Sequence, residues 1–256
     1  MPSISHGLQV NNLSSLENLK PGEKKQIKIT LTNDQDKAEQ VDLKLTNYSC
    51  NSEGQHFFDE DEHDINASIK ASRSNATWIN IGQNRFIMEP SEKRDIYYTI
   101  TAPNDSTLKG SYWSVLLIEP AGNRALQAPS DDGFSLQIKI RYAHHIVTNF
   151  GEGAPKLKIL KKEIKEIETK RYLCIHVLNE GDLFFNPTST LKLYDAEGRL
   201  EKTIEAQSER LYPGNSQCFY LDLQGIPENR LTEKLNGFLL FDGKNDILFG
   251  DKFTYP

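Results

Sequence analysis

Long hydrophobic runs are missing from this sequence. None approaches the roughly 20 apolar residues that a membrane-spanning helix requires, so we expect no integral membrane segment. The start of the chain, Met1–Gly7, also lacks the basic stretch and the apolar stretch of a signal peptide. This start fits a cytoplasmic protein, and it fits equally an exported protein whose signal peptide has been removed.

Basic charge and cysteine are also scarce. The 256 residues carry 30 Lys and Arg against 36 Asp and Glu, and no basic stripe is interleaved with aromatic residues, so we expect no nucleic-acid partner. The 3 cysteines form no Cys-x-x-Cys pair, which argues against a redox motif or a zinc knuckle. Cys174 and Cys218 lie on predicted strands, where they form either a disulfide in an exported protein or two buried thiols.

Motifs that carry catalysis are absent as well. The sequence has no Gly-x-Ser-x-Gly, no His-Glu-x-x-His and no phosphate-binding loop. An acidic run, Asp59–Asp64, contains His63 and has His56 nearby, but it lacks the spacing of a calcium loop and is typical of a solvated loop. His144 and His145 would point to opposite faces of a strand, and a polar strand end is the favoured interpretation. We predict no catalytic residues, no metal site and no cofactor.

What the sequence does contain is apolar alternation with a period of two. The pattern organises Trp78–Pro120, where Pro90 and Pro103 bracket one predicted strand, and its longest uninterrupted run is Phe134–Tyr142. Tyr112–Ile118 is more continuously apolar, which predicts a strand covered on both faces. Residues 157–167 fit either a helix or a strand, and two strands joined by a hairpin near Glu168 are the favoured interpretation.

Similar turns recur along the chain and feed these strands. Lys20–Glu23 and Tyr212–Asn215 contain Pro-Gly, and Pro90-Ser91 begins a third instance, which together form a weak internal repeat. The length suits two domains, and the Gly- and Pro-rich segment Asn149–Pro155 is the best boundary. We predict an all-β fold with two immunoglobulin-like β-sandwich domains in tandem, comprising residues 1–150 and 151–256.

The order of these features resembles two known groups of proteins. Glu89-Pro90, Tyr98–Pro103 and Gly110–Pro120 resemble the first domain of bacterial periplasmic pilus-chaperone-like (PapD-like) proteins. They are also similar to the first, peptidoglycan-binding domain of WxL-interacting surface proteins. The sequence departs from the chaperones where paired basic residues would bind a subunit carboxylate, because only Arg141 fits and histidines stand where a lysine is expected.

The resemblance to chaperones implies a partner-binding strand near residue 140. The predicted contact residues are Phe134, Leu136, Ile138, Ile140, Arg141 and Tyr142. An ordinary interior strand would alternate in the same way. The resemblance implies an exported, non-enzymatic, chaperone-like protein, periplasmic or at the cell surface, that binds an extended segment of a secreted or surface subunit by β-strand addition. The alternative is a cell-surface or cell-wall binding (adhesion) module.

Overall fold

The predicted all-β class is confirmed by the structure. The computed structural model describes residues 7–58, 73–121, 124–126, 136–138, 140–195, 197–207, 209–226, 235–243 and 247–255. Strands dominate these ranges, and the one helix among them is a short 3-10 turn at Ala76–Trp78. Within the same ranges, no helix has the length and apolar character that crossing a membrane requires.

Thirteen strands are described before residue 151 and seven after it. The first set is β1 (Leu8–Val10), β2 (Ser14–Asn18), β3 (Lys24–Asn33), β4 (Glu39–Thr46), β5 (Tyr48–Cys50), β6 (His56–Phe58), β7 (Ile79–Ile81), β8 (Arg85–Met88), β9 (Lys93–Thr101), β10 (Gly110–Pro120), β11 (Arg124–Leu126), β12 (Leu136–Ile138) and β13 (Tyr142–Phe150). The second set is β14 (Leu157–Ile167), β15 (Lys170–Asn179), β16 (Thr188–Tyr194), β17 (Leu200–Ala206), β18 (Ser216–Asp222), β19 (Leu235–Asp242) and β20 (Ile247–Tyr255).

The first compact unit comprises Met1–Tyr48, Phe58–Leu108 and Tyr112–Gly151. Its two main sheets have the strand orders β1-β3-β9-β7 and β2-β13-β10-β4-β8. Alternate apolar side chains of both sheets meet in one core, which includes Ile29, Tyr98 and Leu116. Burying such a side chain stabilises the fold by about 1.5–3 kcal/mol, which is why the period-two pattern determines the inward face.

Strand β10 is buried on both faces, as its continuous apolar sequence predicts. Leu116 and Ile118 belong to the core between the sheets, and Leu117 is also buried although its side chain points the other way. Trp113 shares that second face, is 3% exposed, and donates its indole N–H to the carbonyl of Tyr48 at 2.7 Å. The indole polar group is therefore satisfied where water cannot reach it.

The second compact unit comprises Ser49–Phe57, Lys109–Ser111 and Glu152–Pro256. Its sheets have the orders β14-β15-β18 and β17-β16-β19-β20, with one apolar core that includes Ile175, Leu191 and Phe219. The predicted hairpin is confirmed, because β14 pairs with β15 around a turn in which Glu168 has φ +56°. Two immunoglobulin-like sandwiches in tandem are thus confirmed. The division at residue 150 stays a prediction, since two short segments of the first half group with the second unit.

The three predicted proline turns share one backbone geometry. The residue after proline has positive φ in each: 74° at Gly22, 59° at Ser91 and 76° at Gly214. Each turn closes with a hydrogen bond from the fourth residue to the first, at 3.0 Å, 3.1 Å and 3.0 Å respectively. Proline followed by a residue with positive φ defines a type II turn, which favours glycine at that position. Ser91 therefore occupies a glycine-like position.

A buried asparagine braces a proline turn in each unit. Asn33, the last residue of β3, donates its Nδ2–H to the carbonyl of Met88 at 3.3 Å. Asn179, the last residue of β15, donates in the same way to the carbonyl of Leu211 at 3.1 Å. Both acceptor residues lie two positions before the turn proline, and both asparagines are fully buried. The two sandwiches therefore share a polar brace as well as a fold class.

Candidate functional site

The predicted partner-binding strand is divided in the structure. Leu136–Ile138 forms β12, which pairs antiparallel with β11 in a separate two-stranded sheet. Ile140 and Arg141 are in neither strand, and β13 begins at Tyr142. Phe134 lies outside the described residues. The continuous strand that the alternation predicts over residues 134–142 is therefore wrong, because alternation does not encode where one pairing partner replaces another.

Strand β12 has an open edge within the part of the chain that the structure describes. It pairs with β11 on one side, and no described strand pairs with it on the other. An unpaired strand edge presents backbone N–H and carbonyl groups that another chain can pair with. The two-stranded sheet of β11 (Arg124–Leu126) and β12 (Leu136–Ile138) is called the ribbon below.

Two of the predicted contact residues, Arg141 and Tyr142, are already engaged by the fold. Arg141 forms an ion pair with Glu119 on β10, with 2.8 Å between Nε and Oε1. Tyr142 packs against the core of the first unit, and its hydroxyl donates a hydrogen bond to the carbonyl of Leu8. These two predicted contact residues hold the start of β13 in place. The role of all six predicted residues in binding a partner stays a prediction.

His144 lies within a buried hydrogen-bond chain and is not part of a polar strand end. Its Nδ1 lies 2.9 Å from the carbonyl of Asn12, and its Nε2 lies 3.0 Å from the hydroxyl of Tyr98. Because a carbonyl only accepts, Nδ1 carries the proton and Nε2 accepts from Tyr98. Tyr98 in turn accepts from Ser15, 2.7 Å away, and burial raises its pKa. This chain joins β2, β9 and β13.

His145 points away from His144, as expected of neighbours on a strand. Its ring packs edge-on against Tyr48, with 4.9 Å between the ring centres. The two imidazoles therefore face different surroundings, and the sequence prediction of opposite faces is confirmed. Neither histidine occupies the place of a free basic group, because His144 uses both ring nitrogens in the fold and His145 is buried.

Both alternatives for the cysteines can now be compared with the structure. Cys174 and Cys218 are both buried free thiols. Cys174 lies opposite Tyr220 in the ladder and Cys218 lies opposite His176, so the two cysteines are diagonal neighbours. Burial raises the pKa of Cys218 to about 12, which keeps this thiol protonated. The structure therefore has buried thiols and no disulfide at this pair.

Possible metal ligands do not cluster in the described residues. No group of three His, Cys, Asp or Glu side chains there could hold a metal ion. The acidic run Asp59–Asp64, which contains His63, lies outside the described residues, while His56 is exposed at the start of β6.

An exposed aromatic ring stands on the outer face of the first sheet, and the sequence reasoning assigned it no role. Tyr97 is 48% exposed and lies opposite Lys28 in the β3–β9 ladder. On the same face Asp95 accepts from Thr30 at 2.7 Å and from Lys28 at 3.1 Å, and these bonds lower the pKa of Asp95. Thr99 follows Tyr97 on this face. The period-two pattern between Pro90 and Pro103 places Tyr97 on the face opposite Ile96 and Tyr98, and this pattern was the available signal.

Fold and site together define a two-sandwich protein with an open-edged ribbon on its first unit. Residues 16–117 match the family model described as "WxL Interacting Protein, peptidoglycan binding domain". Similar solved structures include the class 5 fimbriae chaperone CfaA, which is 12% identical, with a TM-score of 0.47 over 97% of this chain and 98% of that chain. The E. coli chaperone DraB is 10% identical, with a TM-score of 0.43 over 98% of each chain.

The periplasmic chaperone SfaE is 12% identical to this chain, with a TM-score of 0.43 over 96% of this chain and 98% of that chain. No curated protein matches the sequence. The family model corresponds to one of the two groups that the sequence resembles, so the resemblance to WxL-interacting proteins is confirmed over residues 16–117. The solved structures named above are chaperones, the other of the two groups.

Proposed function

We propose that this chain is an exported, non-enzymatic binding protein of the cell surface or periplasm that holds an extended segment of a protein partner by β-strand addition. The open edge of β12 in the ribbon carries this proposal. Main-chain hydrogen bonds along such an edge supply affinity, and alternate side chains supply specificity. The ribbon is short, so the partner strand would continue past it along residues 134–140.

The predicted contact residues divide into two roles under this proposal. Phe134, Leu136, Ile138 and Ile140 supply apolar side chains to the partner. Arg141 and Tyr142 fix the base of the ribbon through Glu119 and Leu8. Ile140 is half-buried and therefore still offers apolar surface. Among the described residues of this arrangement only Arg141 corresponds to the basic pair that the chaperones use, so the partner's terminal carboxylate is not part of the proposal.

A matched pair of variants at Gln137 tests strand addition. Gln137→Pro removes a backbone N–H at the centre of β12, whereas Gln137→Ala removes only the side chain. The full chain is first purified from native cells with its stoichiometric partner, and affinity is then measured with purified components. We expect Gln137→Pro to bind at least about tenfold more weakly and Gln137→Ala to bind like the parent.

Hydrogen exchange provides the second readout. Backbone amides of β12 that point away from β11 should exchange rapidly in the free protein and slowly in the complex, because the partner strand would accept their hydrogen bonds. Equal affinity of Gln137→Pro and the parent, together with unchanged exchange in this segment, would rule out strand addition.

The second candidate function is binding of peptidoglycan by the first unit. The family match over residues 16–117 supports it, and that range includes β3 and β9. Their outer face combines the exposed ring of Tyr97 with the hydroxyl of Thr99 and the Lys28–Asp95 pair. An aromatic platform beside polar groups suits a sugar, whose faces are apolar and whose edges form hydrogen bonds.

Co-sedimentation with purified peptidoglycan tests this second candidate. Tyr97→Ala should reduce the bound fraction, while Tyr194→Ala, a control on β16 of the second unit, should leave it unchanged. Retention of full binding by Tyr97→Ala would exclude this face as the binding surface.

A further inference from the structure

A cleft in the second unit has an unusual combination of aromatic rings and carboxylates. It has a volume of about 260 Å³ and is lined by Tyr172, Glu205, Gln207, Glu209, Tyr220 and Asp222. These residues come from β15, β17, β18 and the segment after β17. Strands β17 and β18 are edge strands of the two different sheets of this sandwich, so the cleft opens along one side of the sandwich.

Two tyrosines form an aromatic wall of this cleft. The rings of Tyr172 and Tyr220 are perpendicular, with 6.1 Å between their centres. Tyr220 is 38% exposed, which leaves a large apolar ring in contact with solvent. The electron-rich face of a tyrosine ring attracts a cation that approaches within about 6 Å of its centre.

The carboxylates of the cleft differ in their ion pairing from other acidic groups of the same unit. Glu205, Glu209 and Asp222 form no ion pair with any residue in the described ranges, whereas Glu163 and Glu180 of the same unit pair with lysines. Asp222 accepts one backbone hydrogen bond, from Gln224 at 2.8 Å, through Oδ1. Negative charge therefore accumulates beside the tyrosines without a balancing cation.

The neighbouring basic groups do not neutralise this charge. Lys165, on the same face of the sheet as Tyr220, is bound to Glu163 at 3.0 Å. Arg210 follows Glu209 directly and lowers its pKa slightly, but burial outweighs this effect and raises the pKa of Glu209 overall. A positively charged ligand in the cleft would remove this cost of burying Glu209.

We infer that the cleft binds a cationic side chain, arginine or lysine, of a protein partner. The aromatic wall would pack against the aliphatic stem and the charged head, while the three carboxylates would accept hydrogen bonds from that head. The volume supports a single side chain, because it falls just below the ~300–1,000 Å³ typical of pockets that enclose a whole drug-sized ligand. This inference concerns the second unit and does not depend on strand addition at the ribbon.

Nuclear magnetic resonance titration of the full chain tests the inference. The probe is Nα-acetyl-arginine N-methylamide, and the matched control is its citrulline counterpart, which has the same shape without the charge. We expect the arginine probe to shift the amide signals of Tyr172, Tyr220 and Asp222 saturably and the citrulline probe to leave them in place. Equal shifts from both probes, or none from the arginine probe, would overturn the inference.

Variants locate the interaction. Glu205→Gln and Tyr220→Leu should each weaken binding of the arginine probe by about tenfold, because the first removes a hydrogen bond to a charged group and the second removes a cation–π contact. Glu197→Gln makes the same chemical change in an exposed turn outside the cleft and should have no effect. Unchanged affinity in both cleft variants would overturn the inference. Tighter binding of glucosamine at the same amides would overturn the assignment to a protein side chain.

Discussion

Replacing Asn179 by alanine should destabilise the second unit severely. The side chain is fully buried and makes four hydrogen bonds to the backbone. Its Nδ2 donates to the carbonyls of Leu183 at 2.8 Å and Leu211 at 3.1 Å. Its Oδ1 accepts from the amides of Gly181 at 2.9 Å and Lys156 at 3.2 Å. Alanine would leave four backbone groups to find other partners.

The size of the effect follows from these contacts. A hydrogen bond contributes about 1 kcal/mol net, and a buried group that loses its partner costs about 1–3 kcal/mol. Because Lys156 and Gly181 are near the surface and can regain water, we expect a total loss of about 3–4 kcal/mol. For a unit of roughly 100 residues, each 1 kcal/mol shifts the melting temperature by about 4–8 °C, so the expected fall is at least about 12 °C.

Thermal melting followed by two signals can assign the loss to a unit. Both tryptophans, Trp78 and Trp113, lie in the first unit, so their fluorescence reports on that unit, whereas circular dichroism reports on both. Asn179→Ala should lower the transition seen by circular dichroism, and Asn33→Ala should lower the one seen by fluorescence. Asn80→Ala, on an exposed face, should stay within about 0.5 kcal/mol of the parent. A loss below about 1 kcal/mol in Asn179→Ala would refute the reasoning.

Three further predictions concern a turn, the thiols and one carboxylate. Ser91→Gly should raise the free energy of unfolding measured in urea by up to about 1 kcal/mol, because glycine adopts positive φ without strain, and a lower urea midpoint would contradict this. Cys174 and Cys218 should react with Ellman's reagent only after unfolding, and rapid labelling of the native protein would contradict their burial. Hydrogen bonds from lysines, chiefly from Lys161, lower the pKa of Glu163 from 4.5 to about 2. Because its folded pKa is the lower one, its contribution to stability is full above about pH 4.5 and is lost as the pH falls toward 2. A carboxyl carbon titrating near pH 4.5 would disprove this.

Local sequence signals predicted most of the strands, because the formation of each strand depends mainly on residues that are close to it in sequence. Alternation identified β3, β9 and β15, and the continuous apolar run identified the doubly buried β10. Glu168, in the predicted hairpin turn, adopts the positive φ that ends β14. In these cases the burial of one face is sufficient to predict the strand, and the conformation of one turn residue is sufficient to predict where the strand ends.

The candidate sites depended on pairings that no local pattern contains. Residues 134–142 alternate without interruption, yet β12 pairs with β11 and the chain then leaves the ladder before β13. The chain through His144 joins residues that are 46 and 132 positions apart. The cleft draws its tyrosines and carboxylates from strands in different sheets. Such sites depend on which strands pair with one another. The sequence therefore predicts that Tyr97 is exposed, but it does not predict which residues lie beside it.

The asparagine braces explain why the internal repeat looked weak in the sequence. In both units the asparagine donates to the carbonyl four residues after it, at Lys37 and at Leu183, and to the residue two before a turn proline. These two contacts correspond, yet asparagine and turn acceptor are separated by 55 residues in the first unit and 32 in the second. A repeat search at a fixed period cannot align them. Each brace satisfies buried backbone groups where a strand ends, so the groups that it joins are close in the folded protein although they are distant in sequence. The corresponding signal in a sequence is a strand that ends in asparagine together with a later proline turn at no set distance.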